Sequence, residues 1–379
     1  MDWQQPMGGP PQAPGPAGAK PRPFLKIAIA LILLAALGWV LLLIAQYCQT
    51  GNRISDLPGV GPIAGLFDRP SFEYVGSING LQNPMGVAVG QDGRVYVTET
   101  GGERMIHVYN SLREEVGSFA PPDTQAPGRV PVYVAVSPKG DVYVSDRGAS
   151  AIFIFSPDGV PQGRVTPPEG FEDWHPLGLT FDEAGNLYVA DVTPGKHRVL
   201  VLNRVLILNP TPASTVGIDP VLVHALPEGS ILKLSFGSQG EEDGQFWFPN
   251  GIAVDSQGRI YVADSNNGRM QAFDKDGKFL FKISRGMSPS DLSIPRGIAV
   301  DSENRLLIVD TSRGAVQAYG ISESAGSDSE SAPLQFLGAF SGSTGAGVFF
   351  QFPNGLALDG HGQIYIADRA NDRVQIWKY

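Results

Sequence analysis

The sequence predicts an all-β fold, a six-bladed β-propeller of four-stranded antiparallel blades preceded by one N-terminal transmembrane helix. Three observations carry this expectation. One short apolar–turn–apolar unit recurs six times, further alternating segments follow it, and a single uncharged apolar run stands ahead of them all. Units of this kind cannot bury a face alone, so they stack into a solenoid or close into a ring.

The clearest copy of the unit spans 249–264 (PNGIAVDSQGRIYVAD). Ile252, Ala253 and Val254 are small and apolar, which suits a strand buried on both faces. Asp255 to Gly258 is turn chemistry, with Gly258 free to take positive φ. Ile260 to Ala263 is β-branched and aromatic, the composition of a second strand. Other copies begin at Pro84, Pro131, Pro176, Pro295 and Pro353, and the third and fifth units carry insertions. Each unit ends in a carboxylate: Glu99, Asp146, Asp191, Asp264, Asp310 or Asp368. Arg104, Arg269 and Arg373 each follow their carboxylate at one fixed spacing, and Arg198 follows Asp191 a little later. Chemistry rarely needs six copies of one side chain, so the pairs Glu99–Arg104, Asp191–Arg198, Asp264–Arg269 and Asp368–Arg373 read as structural braces of a turn.

These residues resemble the NHL repeat, whose core pattern is P-x-G-I-A-V-D, then G-x-I-Y-V-A-D, then N-x-R-V-Q-V-F. The match is best at 249–273 and 353–377 and extends over roughly 71–379. It implies a fold and names no function. Unit two departs most, with Tyr133 for the glycine and no arginine, and unit five has Gly314-Ala315 where an Asn/Asp-Arg pair is expected. A membrane-anchored form would be similar to bacterial extracytoplasmic NHL sensor and binding domains.

Taken in order, residues 1–26 are rich in Pro, Gly, Gln and Ala, and read as a disordered tail. Residues 27–45 (IAIALILLAALGWVLLLIA) carry no charge, and as a helix would span about 28 Å at ~1.5 Å per residue. The run is long for a cleaved signal peptide and no small-x-small site follows it, which favours an uncleaved, single-pass signal-anchor. Lys20, Arg22 and Lys26 precede the span, so the tail is expected in the cytoplasm and the propeller outside. Cys48 is the sole cysteine, which excludes an internal disulfide. Residues 46–70 form a Gly/Pro-punctuated linker, and 71–379 the propeller. Third and fourth strands recur after each unit, except that the last unit stops at Tyr379 after its third. The segment 72–78 stands alone ahead of the first unit, so it is expected to supply the missing outer strand and close the ring. An insertion at 203–230 and an acidic one at 322–331 fall between third and fourth strands.

Fold analogy places the residue between Pro and Gly of each inner strand at the central channel: Met85, Val132, Leu177, Asn250, Arg296 and Asn354. One half of this mouth is apolar and the other is amide–guanidinium–amide. Lactonases of the related six-bladed class hold a divalent cation there with Glu, Asn and Asp. Here no carboxylate occupies the six positions and Arg296 would repel a cation. Zinc lyases that resemble NHL propellers use channel histidines, whereas His107, His175, His197, His224 and His361 fall elsewhere. No nucleophile elbow is present. A formal net charge of −10 without a basic stripe argues against nucleic acid. The sequence therefore points to a non-enzymatic binding or scaffolding module without cofactor or metal. Its expected partner is an envelope or membrane protein, or a small amphiphilic anion. A channel-site metal-dependent hydrolase or lactonase is the alternative.

Overall fold

Short β-branched strands separated by tight polar turns have one economical way to bury both faces, which is to stack as narrow sheets around an axis. The computed structural model describes residues 72–379 apart from 123, 126–127, 166, 204–221, 224–230, 285–290, 323–332 and 344–347. The expected tail, transmembrane helix and linker lie outside the described residues, as do nearly all of the two insertions. Among the described residues no helix is long and apolar enough to cross a membrane.

Six sheets form the blades, each built on four antiparallel strands, and the second carries a short fifth strand. Their innermost strands are Pro84–Val89, Pro131–Val136, Pro176–Phe181, Pro249–Val254, Pro295–Val300 and Pro353–Leu358. Each packs against the next, and the sixth packs against the first. Second strands such as Val142–Asp146 and Ile260–Asp264 are buried throughout, which is why they show no polar alternation. The outer strand Leu232–Phe236 alternates between half-buried and exposed positions.

The core lies between blades. Tyr261, Met270 and Ile283 of the fourth blade pack with Ile298, Leu306 and Ile308 of the fifth. Each aliphatic side chain fully buried in this way contributes about 1.5–3 kcal/mol. Hydroxyl groups add a polar stitch nearer the axis. Thr98 Oγ1 donates to Val132 O of the next blade (2.7 Å), Ser145 Oγ to Leu177 O (2.6 Å) and Thr311 Oγ1 to Pro353 O (2.6 Å).

The sixth blade takes its outer strand, Glu73–Asn79, from the N-terminal side of the propeller. That strand runs antiparallel to Arg373–Lys378, with Glu73 opposite Lys378 and Asn79 opposite Arg373. Phe72 stacks on Phe340 at 4.4 Å, and Tyr74 meets Trp377 edge-on at 5.5 Å. Within the 203–230 insertion, Leu222–Val223 adds in parallel to Pro161–Val165, the outer strand of the second blade.

The repeated carboxylates hold the loop that leads into their own inner strand. Asp146 accepts from Val130 N–H (3.0 Å), Asp191 from His175 N–H (2.8 Å) and Asp264 from Trp247 N–H (2.7 Å). Asp310 does the same for Ser293 (2.7 Å) and Asp368 for Gln351 (2.7 Å). Arginines then compensate the buried charge: Arg198 Nε lies 2.8 Å from Asp191, Arg269 Nε 2.7 Å from Asp264 and Arg373 Nε 2.9 Å from Asp368. In the first blade Glu99 instead meets His107 Nε2 at 3.0 Å, while Arg104 Nη1 donates to Arg129 O.

Candidate functional site

The inner strands begin with an irregularity that builds the mouth. In five of them, ladder pairing breaks between Pro and the residue three positions on, for example Pro249 to Ile252. The channel residue and the glycine after it are thus released from the ladder. The glycine is needed because the next blade comes close. A Cβ at Gly178 would lie 1.8 Å from Asn250 O, and one at Gly251 would lie 2.3 Å from Arg296 O. The missing side chain sets the radius of the ring.

The second blade differs. Its break falls between Pro131 and Tyr133, so only Val132 is skipped, and the position occupied elsewhere by glycine returns to the ladder opposite Ser145. Tyr133 is buried, and its side chain crosses the channel. Its hydroxyl donates to Asn250 Oδ1 at 2.6 Å and lies 3.1 Å from Asn354 Oδ1. One proton serves the shorter contact, and the longer one is satisfied when the Asn354 amide turns over to donate. Burial pushes the Tyr133 hydroxyl pKa up, against the pull of the Arg296 charge, so the group stays protonated and donating.

Above this floor is a cavity of about 340 Å³ to which all six blades contribute. Of the residues expected at the mouth, Met85, Val132, Leu177, Asn250 and Arg296 line it. Asn354 is fully buried and stands behind the wall, joined to it through Tyr133. Residues not anticipated from the sequence join the lining, among them Arg147 and Arg369, each next after a repeated carboxylate, and Phe248 and Asn266 from the fourth blade.

Electrostatically the cavity is one-signed. Arg147, Arg296 and Arg369 line it, and no carboxylate or histidine does. The Arg296 and Arg369 Nε atoms are buried without a hydrogen-bond partner among the described residues. The Arg147 guanidinium stands 6.0 Å from the centre of the Phe248 ring. Asp291 and Asp301, equally near to Arg296 in sequence, pair with Arg313 and Arg305.

Phe248 has φ of 63°, a left-handed backbone that a bulky residue adopts only when its neighbours enforce it. Its N–H donates to His197 Nδ1 (3.2 Å), and its ring meets the imidazole edge-on at 5.6 Å. Burial lowers the His197 pKa below the ordinary histidine value. The neutral ring is the form that can accept this hydrogen bond.

Among the described residues no group of three or more His, Cys, Asp and Glu converges to hold a metal ion. His107 lies between Glu99 (3.0 Å) and Glu115 (2.8 Å) on the first blade, away from the cavity lining.

A repeat with Pro-Asn-Gly, a buried carboxylate, Arg and Gln at these places defines the class of the domain. Residues 246–273 and 350–377 match the NHL repeat, so the described structure is a six-bladed β-propeller that carries NHL repeats. Local similarity to curated proteins agrees. Protein lin-41 of Caenorhabditis elegans is 53% identical over 49 residues, 13% of this chain and 4% of that protein. Protein brain tumor of Drosophila melanogaster is 49% identical over 53 residues, 14% of this chain and 5% of that protein. The matches therefore span only a small part of those relatives. Among solved structures, virginiamycin B lyase from Staphylococcus aureus superposes with a TM-score of 0.50 at 15% identity, covering 82% of this chain and 99% of that one. A protein of unknown function from Bacteroides thetaiotaomicron gives 0.53 at 15% identity, covering 81% and 72%. At such identity the likeness is one of fold alone.

Proposed function

We propose that the chain is a single-pass, membrane-anchored NHL propeller that acts as a binding or scaffolding module on the extracytoplasmic side. Its partner is an envelope or membrane protein, or a small amphiphilic anion, received at the channel mouth. The observation that supports this is the mouth itself: a cavity with guanidinium and amide groups beside Met85, Val132 and Leu177. A planar guanidinium fork matches carboxylate and phosphate oxygens, while the apolar side accepts a tail or ring. The apolar run at 27–45 and the basic residues ahead of it support the anchor and its direction. The metal-dependent hydrolase alternative draws no support from a cavity lined by three arginines and no carboxylate.

The test is recovery of the full chain from its native membrane after crosslinking, in wild-type form and as Arg296→Ala. The module reading expects a partner or ligand that the substitution weakens by roughly 2–5 kcal/mol, the loss seen when one half of a buried charged pair is removed. Equal recovery with both forms removes the mouth from the reading. Protease added to intact cells should also reach the propeller, and a propeller degraded only after lysis would overturn the proposed topology.

A further inference from the structure

Arg147, Arg296 and Arg369 come from the second, fifth and sixth blades, and line one cavity from different sides of the ring. Elsewhere in this propeller several arginines pair with carboxylates, as at Asp191, Asp264 and Asp368. These three have no carboxylate partner among the described residues, although the chain as a whole carries a net charge of −10. Three like charges facing one cavity repel one another. A fold that only needed to plug its channel would do so better with apolar side chains, as Met85, Val132 and Leu177 do on the other side.

A fourth group points the same way. Asn250 is only 5% exposed, and its Oδ1 is taken by the Tyr133 hydroxyl. That bond turns Nδ2 away from Tyr133, and no partner for Nδ2 is present among the described residues. The cavity that Asn250 lines is where an acceptor for this amide can sit, beside the buried, unpartnered Nε atoms of Arg296 and Arg369.

From this arrangement we infer that the cavity is a receptor for a phosphomonoester group carried on an apolar body; the inference rests on the ligand-binding reading above and narrows it. A carboxylate is planar, carries one charge and is satisfied by one or two forks. A phosphomonoester carries about −1.5 to −2 charges and presents three terminal oxygens in different directions. Donors converging from three blades match the second and leave two charges over with the first. The apolar body has its own surface: Phe248 and Leu177 inside the cavity, with Trp247 and Phe352 exposed on the loops beside it. Trp247 O accepts from the N–H of the lining residue Asn266 (3.0 Å), and Gln351 O from Ala370 N–H (3.0 Å), next to Arg369. Both aromatic loops are thereby fixed to the rim.

The experiment is calorimetric titration of the full chain in detergent with phenyl phosphate, benzoate and dihexanoyl phosphatidic acid. Arg296→Gln and Arg369→Gln are run alongside, their unliganded melting temperatures serving as the folding check. Phenyl phosphate should bind saturably and at least about tenfold more tightly than benzoate, and each substitution should weaken it by about tenfold or more. Tighter binding of the phosphatidic acid than of phenyl phosphate assigns the phosphate to a lipid headgroup. The reverse order assigns it to a soluble molecule. Equal affinity for benzoate and phenyl phosphate, no saturable heat, or variants that fold and bind as well as wild type would overturn the inference. A captured partner that survives both substitutions would also sink the phosphate site while leaving the binding-module reading standing. Loss of every partner and ligand in the wild-type chain would end both.

Discussion

The fourth and sixth blades and the second blade use the same scaffold for different ends. In the fourth, Asp264 is surrounded by Trp247 N–H, Asn267 Nδ2 (2.8 Å), Arg269 Nε (2.7 Å) and Gln271 Nε2 (3.3 Å). The sixth repeats this set around Asp368 with Asn371, Arg373 and Gln375. In the second, Asp146 accepts among the described residues only from backbone, from Val130 and Ala149 N–H (2.9 Å). There the glycine has become Tyr133, which holds the channel, and the residue after the carboxylate has become Arg147, which charges the cavity. In the second blade the departures from the repeat serve the mouth, whereas the sixth blade keeps its whole network around Asp368 and still gives Arg369 to the cavity. Burial itself pushes the Asp264 carboxyl pKa up, against Asn267, Arg269 and the Trp247 N–H. The full network offsets a desolvation cost more than it supplies surplus stability.

The comparison can be broken first at the sixth blade, which shares the network of the fourth but draws its outer strand from the opposite side of the sequence. Deleting residues 73–79 removes Ile78, whose burial alone contributes about 1.5–3 kcal/mol, and bares the edge of Arg373–Lys378. The expected outcome is a large fall in melting temperature with concentration-dependent aggregation, followed by light scattering. Unchanged melting would mean that closure contributes little.

Next in size are the carboxylates. Asp264→Ala strands Arg269 and should cost about 3–5 kcal/mol. Asp146→Ala leaves only backbone donors unpaired and should cost about 1–3 kcal/mol. Denaturant midpoints of the two variants measure the difference directly, and equal losses would erase the distinction between the blades.

Tyr133→Phe removes the bond to Asn250 without opening a large void, at a cost of about 1–3 kcal/mol for the unsatisfied amide. It should also loosen Asn250, read as increased mobility of its side-chain amide signals in nuclear magnetic resonance. An unchanged amide would show that the neighbouring backbone, and not the tyrosine, sets the floor.

The smallest effect is a pH dependence. Because the folded chain depresses the His197 pKa, the unfolded chain takes the proton more readily. This contribution to stability is full above about pH 6.5, the ordinary histidine value, and is lost as pH falls through the folded value. Protonation also removes the acceptor of Phe248 N–H. Melting temperatures recorded on acidification should fall more for wild type than for His197→Phe, and parallel curves would show that another group carries the dependence.

The fold class was legible because the repeat is written in residues that have no freedom. Pro and Gly bracket five of the six channel positions for steric reasons, and a buried carboxylate is needed wherever the loop ahead of an inner strand must be tied down. The cavity was half legible. Met85, Val132, Leu177, Asn250 and Arg296 occupy one periodic position, so the period finds them. Arg147 and Arg369 also occupy a periodic position, directly after the carboxylate, but their counterparts are Thr100, Val192, Ser265 and Thr311. A position that changes chemistry from blade to blade gives no signal until the ring brings its copies together. Tyr133 stood out as a departure from the pattern. Its contact with Asn250 and Asn354 depends on blades distant in sequence, which no local rule can supply.

The strand pairing of Glu73 with Lys378 also has a consequence in time. As the chain leaves the ribosome, Glu73–Asn79 is among the first propeller segments to emerge, yet its partner is made last. Five blades can assemble from neighbours in sequence while this strand waits, and the sixth can form only when residues 373–378 appear. Contacts of such separation close slowly, and unpaired edges invite association with other chains. Until Lys378 is out, each nascent propeller carries one strand without a partner and one blade without an edge.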